Sequence, residues 1–246
     1  MPEDHDQNAG SIAPEPANNT DPRELARFAR LTDDWWNPHG RLKTLHAINP
    51  VRLAFMTSAV NLEGKRVLDI GCGGGLLCEA MAAGGAVVAG IDPGADSIRV
   101  AEQHRGSLSI DYRVCTVEEF ARNGGGPFDV ITCMEALEHV PDPAALLASA
   151  AGLLAPGGSL FLSTINRNLR SYLGAVVAAE YLFGLLPRGT HDYARFIRPS
   201  ELAAWLRAAN LTVVSIRGMV YLPLVNRAVL TDRPTVNYLV HARRGD

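Results

Sequence analysis

The chain has 246 residues, 47% of them hydrophobic and 20% charged, and a mean hydropathy near zero. These values suit a globular domain with a substantial core and exclude a wholly disordered or fibrous chain. With 23 basic against 26 acidic residues, a net charge of −3, the protein lacks the basic surplus of a nucleic-acid binder, so none is expected as a partner.

Residues 1–20 are rich in Pro, Asn, Asp and Glu, cannot offset the entropy of ordering, and are expected to form a disordered tail. The opening MPEDHDQNAG has no apolar run of the secretory type. Asp21-Pro22 predicts a helix start carrying Leu25, Phe28 and Ala29, ended by Trp35-Trp36-Asn37-Pro38. A second helix is expected from about Asn49-Pro50, so that residues 21–64 make an N-terminal helical cap. From residue 65 the pattern changes. Val67–Ile70, Val87–Ile91, Ile110–Val114, Phe128–Cys133 and Ser159–Thr164 read as short apolar strands. Leu76–Ala83, Ala95–His104 and Ala144–Leu154 read as intervening helices. Continuous apolar strands alternating with helices predict a parallel sheet covered on both faces. Beyond strand five come a very apolar helix, Leu169–Leu186, a helix capped by Ser200, and two closing strands, Leu211–Ile216 and Thr235–His241.

Cys72, Cys78, Cys115 and Cys133 form no C-x-x-C pair and no Cys/His set with zinc spacing; they read as buried thiols of a reducing compartment. No stretch reaches the roughly 18–20 apolar residues that cross a bilayer. These features place the protein in the cytoplasm.

The strongest local signal is Val67-Leu68-Asp69-Ile70-Gly71-Cys72-Gly73-Gly74-Gly75. A strand enters a turn that favours glycine, and a helix N-terminus with free N–H groups follows, at the edge of the sheet where ligands sit. A dinucleotide fingerprint would need glycine at position 76, which is Leu. The spacing D-x-G-x-G-x-G, set by Asp69, Gly71, Gly73 and Gly75, instead resembles that of S-adenosylmethionine-dependent methyltransferases. Asp92, at the end of the second strand, can accept both hydroxyls of a ribose. Glu135, Glu138 and His139 follow strand four at spacing i, i+3, i+4. On a helix they would share one face and suit a divalent cation. The same spacing also fits a solvated face, or His139 acting as a general base with no metal.

Four further segments carry a more specific resemblance. They are Trp35-Trp36-Asn37-Pro38 with Leu45–Arg52, Thr132–Pro143 (reading TCMEALEHVPDP), Ser163–Asn168, and Pro187–Asp192 with the later Val236-Asn237-Tyr238. Over roughly residues 22–242 the chain resembles the ubiquinone-biosynthesis O-methyltransferases, which carry the 3-demethylubiquinol 3-O-methyltransferase and 2-polyprenyl-6-hydroxyphenol methylase activities. The resemblance implies a Rossmann-like α/β fold: a doubly wound, mostly parallel seven-stranded sheet, an N-terminal helical extension and a helical insertion after strand five. Residues 65–246 would then be the methyltransferase domain, with 165–198 a lid. It assigns cofactor contacts to Arg52, Gly71, Asp92 and Met134, beside Asp69 and Gly73 of the loop, and the fold would bring Thr116 and Val117 next to adenine. It also associates Mg²⁺ or a related cation with Glu135, Glu138 and His139 as catalytic residues, and implies a polyprenyl phenol or catechol as acceptor, with other ubiquinone-biosynthesis enzymes as partners. The alternatives are a methyltransferase for another small phenol and a non-catalytic S-adenosylmethionine-binding protein. A helix over Leu169–Leu186 would be apolar nearly all round apart from Glu180, and residues 165–207 hold six basic against three acidic side chains. A helix of that kind is either an ordinary core helix or in contact with lipid, and its basic flanks favour an anionic membrane surface at the inner face of the membrane.

Overall fold

The chain, seen in a computed structural model, is described over residues 19–168 and 193–246. The expected tail lies almost wholly outside those residues, as does the apolar segment Leu169–Leu186. Five strands, β1 (Arg66–Ile70), β2 (Val87–Asp92), β3 (Ile110–Val114), β4 (Phe128–Met134) and β5 (Leu154–Ile165), run parallel in the order 3-2-1-4-5. The order reverses between β1 and β4, and their carboxyl ends therefore border a crevice. Three antiparallel strands complete the sheet: β6 (Leu211–Leu222), β7 (Arg227–Thr231) and β8 (Asn237–Arg244), with β8 wedged between β5 and β6. The sheet thus has eight strands among the described residues where seven were expected. The extra one arises because β6 continues past Ile216 and folds back through Pro223–Asn226 as a hairpin.

Alternation along each strand builds two cores. Leu68, Ile131, Leu160 and Leu162 face one side of the sheet, where they pack with α5 (Val117–Arg122), α6 (Pro143–Leu153) and α7 (Pro199–Ala208). Their chain neighbours Val67, Val130 and Phe161 face the other, against α2 (Lys43–Thr57), α3 (Leu76–Ala83) and α4 (Ala95–His104). Among the described residues no helix is long and apolar enough to cross a membrane.

The N-terminal region departs from expectation in detail. α1 (Pro22–Ala29) is capped by Asp21, whose carboxylate accepts the Arg23 N–H at 2.9 Å, and a separate 3₁₀ turn, Thr32–Asp34, leads to Trp35. α2 starts six residues before Asn49 and carries Pro50 in its interior. Proline removes one backbone donor there. Burial of Ile48, Arg52, Phe55 and Met56 along one face of α2 overrides that local preference. Ser200 is not a cap: α7 starts at Pro199, and Glu201 Oε2 accepts the Arg198 N–H at 2.9 Å.

α5 has no counterpart in the expected elements. It is fixed by a reciprocal capping box: Thr116 Oγ1 accepts the Glu119 N–H at 3.2 Å, and Glu119 Oε2 accepts the Thr116 N–H at 2.8 Å. Thr116→Ala removes one half of that box and should lower stability by about 1 kcal/mol, read from urea unfolding.

Candidate active site

A cavity of about 500 Å³ opens at the carboxyl edge of the sheet, under α1, the Trp35 turn and α2. Every residue expected of the cofactor site and of the Glu-x-x-Glu-His cluster lines it. What each side chain does there differs from residue to residue.

The glycine loop is held from below and from the side. Asp69 is buried beneath it; Thr132 Oγ1 donates to Asp69 Oδ1 at 2.6 Å, and the Cys78 thiol donates to Oδ2 at 3.2 Å. Burial pushes the Asp69 carboxyl up from 3.8 to about 6, against the lowering effect of those two bonds. Asp92 accepts the Gly73 N–H at 3.0 Å on one oxygen and the Gly94 N–H at 2.7 Å on the other, tying the loop to the β2–α4 turn. Burial raises its pKa, and these two backbone donors oppose the rise. Gly73 sits at φ +54° with the Trp35 ring where a Cβ would project, so both its backbone angle and its space exclude a side chain. The neighbouring Trp36 donates its indole N–H to the Gly74 carbonyl at 3.0 Å.

Arg52 projects from α2 toward Glu135, with Nη2 3.5 Å from Oε1. Both side chains are well buried, yet Arg52 Nε and Nη2 and Glu135 Oε1 have no hydrogen-bond partner. Buried charged groups left open in this way cost several kcal/mol unless a ligand completes them. Glu135 holds φ +54°, in the left-handed region, and its N–H donates to the Ser163 carbonyl at 3.0 Å. The chain therefore kinks directly after β4.

That kink changes the acidic cluster. Only a 3₁₀ turn, Leu137–His139, follows Glu135, so the expected helical face does not form. Glu138 is turned inward, where Thr164 Oγ1 donates to Oε2 at 2.8 Å, and burial first, then the Glu135 carboxylate, raise its pKa. His139 faces α1 instead, its Nδ1 2.7 Å from Glu24 Oε2. Phe28 stands edge-on to the imidazole, ring centroids 5.1 Å apart. Hydrogen bonding to His139 is the largest of the effects that hold the Glu24 carboxyl below its ordinary range. An ionised carboxylate only accepts, so Nδ1 donates to Glu24. Glu24, 115 positions away in sequence, had no signal beyond its place in the first turn of a helix. Among the described residues no group of three His, Cys, Asp or Glu side chains is placed to hold a metal ion.

Thr116 spends its hydroxyl on the α5 cap, Val117 is buried beside it, and Met134 ends β4 with little exposure. Met219 and Tyr221 of β6 complete an apolar wall that the motifs did not indicate.

The chain matches the methyltransferase domain family over residues 27–216. It is 52% identical over 229 residues to a ubiquinone biosynthesis O-methyltransferase of Burkholderia pseudomallei (strain 1710b), covering 92% of this chain and 99% of that one. The protein of the same name from Burkholderia thailandensis is 52% identical over 228 residues, covering 92% and 98%. The chain belongs to the ubiquinone biosynthesis O-methyltransferase family. Solved structures share the fold at lower identity. An S-adenosylmethionine-dependent methyltransferase from Thermotoga maritima gives a TM-score of 0.64 at 16% identity, covering 89% of this chain and 99% of that one. Magnesium protoporphyrin IX methyltransferase from Synechocystis with bound S-adenosylhomocysteine gives 0.58 at 20%, covering 80% and 81%.

In this family member the buried Asp69 should make stability depend on pH. Its folded-state pKa of about 6 exceeds the ordinary 3.8. Between those values the folded chain holds a proton that the unfolded chain has lost. The carboxyl's destabilising effect is therefore full above about pH 6 and fades toward pH 4. Relative to wild type, Asp69→Asn should gain roughly 2–3 kcal/mol in urea unfolding on going from pH 4 to pH 7. A difference that stays flat across that range would contradict the assignment.

Proposed function

We propose that the chain transfers the methyl group of S-adenosylmethionine to a phenolic hydroxyl of a polyprenylated ubiquinone precursor. One observation carries the reading. A single cavity holds an open buried guanidinium and a braced glycine loop on one side, and a histidine oriented by a carboxylate on the other. The names of the close relatives supply the acceptor class.

When bound, S-adenosylmethionine supplies a methyl already activated by its sulfonium. Arg52, whose Nε and Nη2 make no hydrogen bond although Glu135 lies 3.5 Å from Nη2, would pair with the cofactor's carboxylate. Gly71 and Gly73 let backbone approach it, and Asp92 retains lone pairs for the ribose hydroxyls. Met134 would flank the aminoacyl part, while Thr116 and Val117 would border adenine; all three line the cavity. Asp69 acts through the loop it supports. His139 Nε2 takes the phenolic proton, and Glu24 fixes the ring's orientation and stabilises its charged form. Phenols have a pKa near 10, so this base matters at neutral pH. In-line placement of oxygen, methyl and sulfur supplies much of the rest. In this reading residues 21–64 are the cap that brings Glu24, Trp35 and Arg52 onto the catalytic unit 65–246, and residues 165–198 are a lid meeting an anionic membrane at its cytoplasmic face. The lid reading rests on sequence alone for the part outside the described residues, as does association with other enzymes of the same biosynthesis.

Magnesium is the second reading, favoured by the closeness of Glu135 and Glu138; burial first and then the Glu135 charge raise the Glu138 pKa. As they stand, the three donors turn to Arg52, Thr164 and Glu24 and do not converge. Chelation separates the two readings: an unchanged rate fits His139 acting alone, and a loss restored by Mg²⁺ fits a cation that regroups the cluster.

Two outcomes test the proposal. Calorimetry should show S-adenosylmethionine and its demethylated product binding and NAD not binding, with Asp92→Ala weakening the former by about 1–3 kcal/mol. His139→Ala should lower kcat by about 10²–10⁴ with little change in cofactor affinity, and Glu24→Gln by a smaller factor. Equal loss of cofactor binding and rate in His139→Ala would mean a structural role for that residue.

A further inference from the structure

Asp69, Asp92, Glu135 and Glu138 all line the cavity. Three of these carboxylates have donors from the protein itself. Asp69 is served by Thr132 and Cys78, Asp92 by the Gly73 and Gly94 N–H groups, and Glu138 by Thr164. Glu135 differs. Its side chain is 15% exposed and its Oε1 atom is buried, yet no donor completes that oxygen. Arg52, 6% exposed, faces it with Nη2 at 3.5 Å, and Arg52 Nε and Nη2 have no acceptor of their own. Two opposite charges thus look at each other across a gap that they do not close into a hydrogen bond.

The backbone on both sides of the gap is fixed. Glu135 holds φ +54°, and its N–H is shared between the Ser163 carbonyl at 3.0 Å and Ser163 Oγ at 3.1 Å. Arg52 stands on the buried face of α2 with Ile48, Phe55 and Met56. A buried ion pair offsets its desolvation only where the geometry is good and the remaining donors and acceptors are satisfied. This pair meets neither condition. A simple anion on Arg52 would lie against the Glu135 carboxylate, and a simple cation on Glu135 would lie against the guanidinium. A ligand carrying a carboxylate and an ammonium on one carbon satisfies both groups together: its carboxylate accepts from Arg52, and its ammonium donates to Glu135 Oε1.

We propose that Glu135 is a cofactor-binding residue: with Arg52 it forms a clamp for an α-amino acid zwitterion, Glu135 Oε1 taking the ammonium of the cofactor's methionine end and Arg52 its carboxylate. The clamp rests on the S-adenosylmethionine reading above and deepens it, because it selects for an intact amino acid end. It also gives the left-handed backbone at Glu135 a purpose: the kink after β4 turns this one carboxylate of the Glu-x-x-Glu-His stretch toward α2, while Glu138 and His139 turn elsewhere. In this arrangement the Glu135 carboxylate is spent on the cofactor and not on a metal ion.

The test is calorimetry on the full chain with EDTA present, so that no metal ion carries the effect. Three ligands are compared: S-adenosylhomocysteine, its deaminated analogue, which keeps the carboxylate, and 5′-methylthioadenosine, which has neither group. Wild type should prefer S-adenosylhomocysteine to the deaminated analogue by roughly tenfold or more. Glu135→Gln keeps the shape and removes the charge. It should bind S-adenosylhomocysteine about tenfold more weakly than wild type and bind the deaminated analogue at least as well as wild type does. Its affinity for 5′-methylthioadenosine should stay within about twofold of wild type, which shows that the nucleoside site is intact. Equal affinity of wild type for S-adenosylhomocysteine and its deaminated analogue overturns the proposal, whatever the variant does. So does a preference in Glu135→Gln as large as in wild type, since another acceptor would then hold the ammonium. Binding of none of the three ligands by wild type would remove the cofactor reading and the clamp together, whereas the first two failures leave the cofactor reading in place.

Discussion

Between Ile70 and Leu76 the chain must leave a buried strand and enter a helix in five residues, and Gly71, Gly73 and Gly75 do so in the left-handed region. Everything in the site is registered to that turn. Asp69 supports it from the core through Thr132 and Cys78, and Asp92 braces it from β2 through the Gly73 N–H. Trp35 closes over it in the space that a side chain would otherwise fill. The two aspartates carry raised pKa values because they are buried for this purpose. The fold gives up some stability at neutral pH to keep the loop open to a ligand.

The second constraint is the kink at Glu135. Left-handed backbone at a non-glycine residue costs of order 1 kcal/mol, and such outliers concentrate at functional sites. Here it ends β4 abruptly and sends Glu135 toward Arg52, Glu138 inward and His139 toward α1. Three residues of one five-residue stretch, Glu135, Glu138 and His139, thereby face three different neighbourhoods of one cavity. The unsatisfied atoms of Arg52 and Glu135 lie on one side of the cavity and the Glu24–His139 pair on the other, and in the proposed reaction the first would meet the cofactor's charge and the second the acceptor's proton.

Much of this was legible in the sequence because it is local. The five parallel strands follow from continuous apolar runs, and the loop follows from its glycines with Asp69 and Asp92. What was missed is non-local or locally ambiguous. Pro50 read as the start of a helix that burial of Ile48, Arg52 and Phe55 carries through it from Lys43. The Thr116-Val-Glu-Glu119 capping box was a readable signal for α5, overlooked because the helix has only six residues. The Glu-x-x-Glu-His spacing implied one helical face, and no spacing rule reveals a left-handed residue at its start. Pairing of Glu24 with His139 depends on α1 docking over the sheet edge, which nothing in either segment announces. The β6–β7 hairpin was hidden because its tip is apolar, whereas turns are ordinarily read from polar residues.

In the proposed reaction this cavity brings a sulfonium methyl and a phenolic oxygen together. The most direct test is to incubate the protein with S-adenosylmethionine carrying an isotopically labelled methyl and a short-chain prenyl catechol, and to locate the label by mass spectrometry. The expected product carries one labelled methyl on a phenolic oxygen, with an equal amount of S-adenosylhomocysteine released. Label on ring carbon, or cofactor bound without transfer to any catechol, would contradict it.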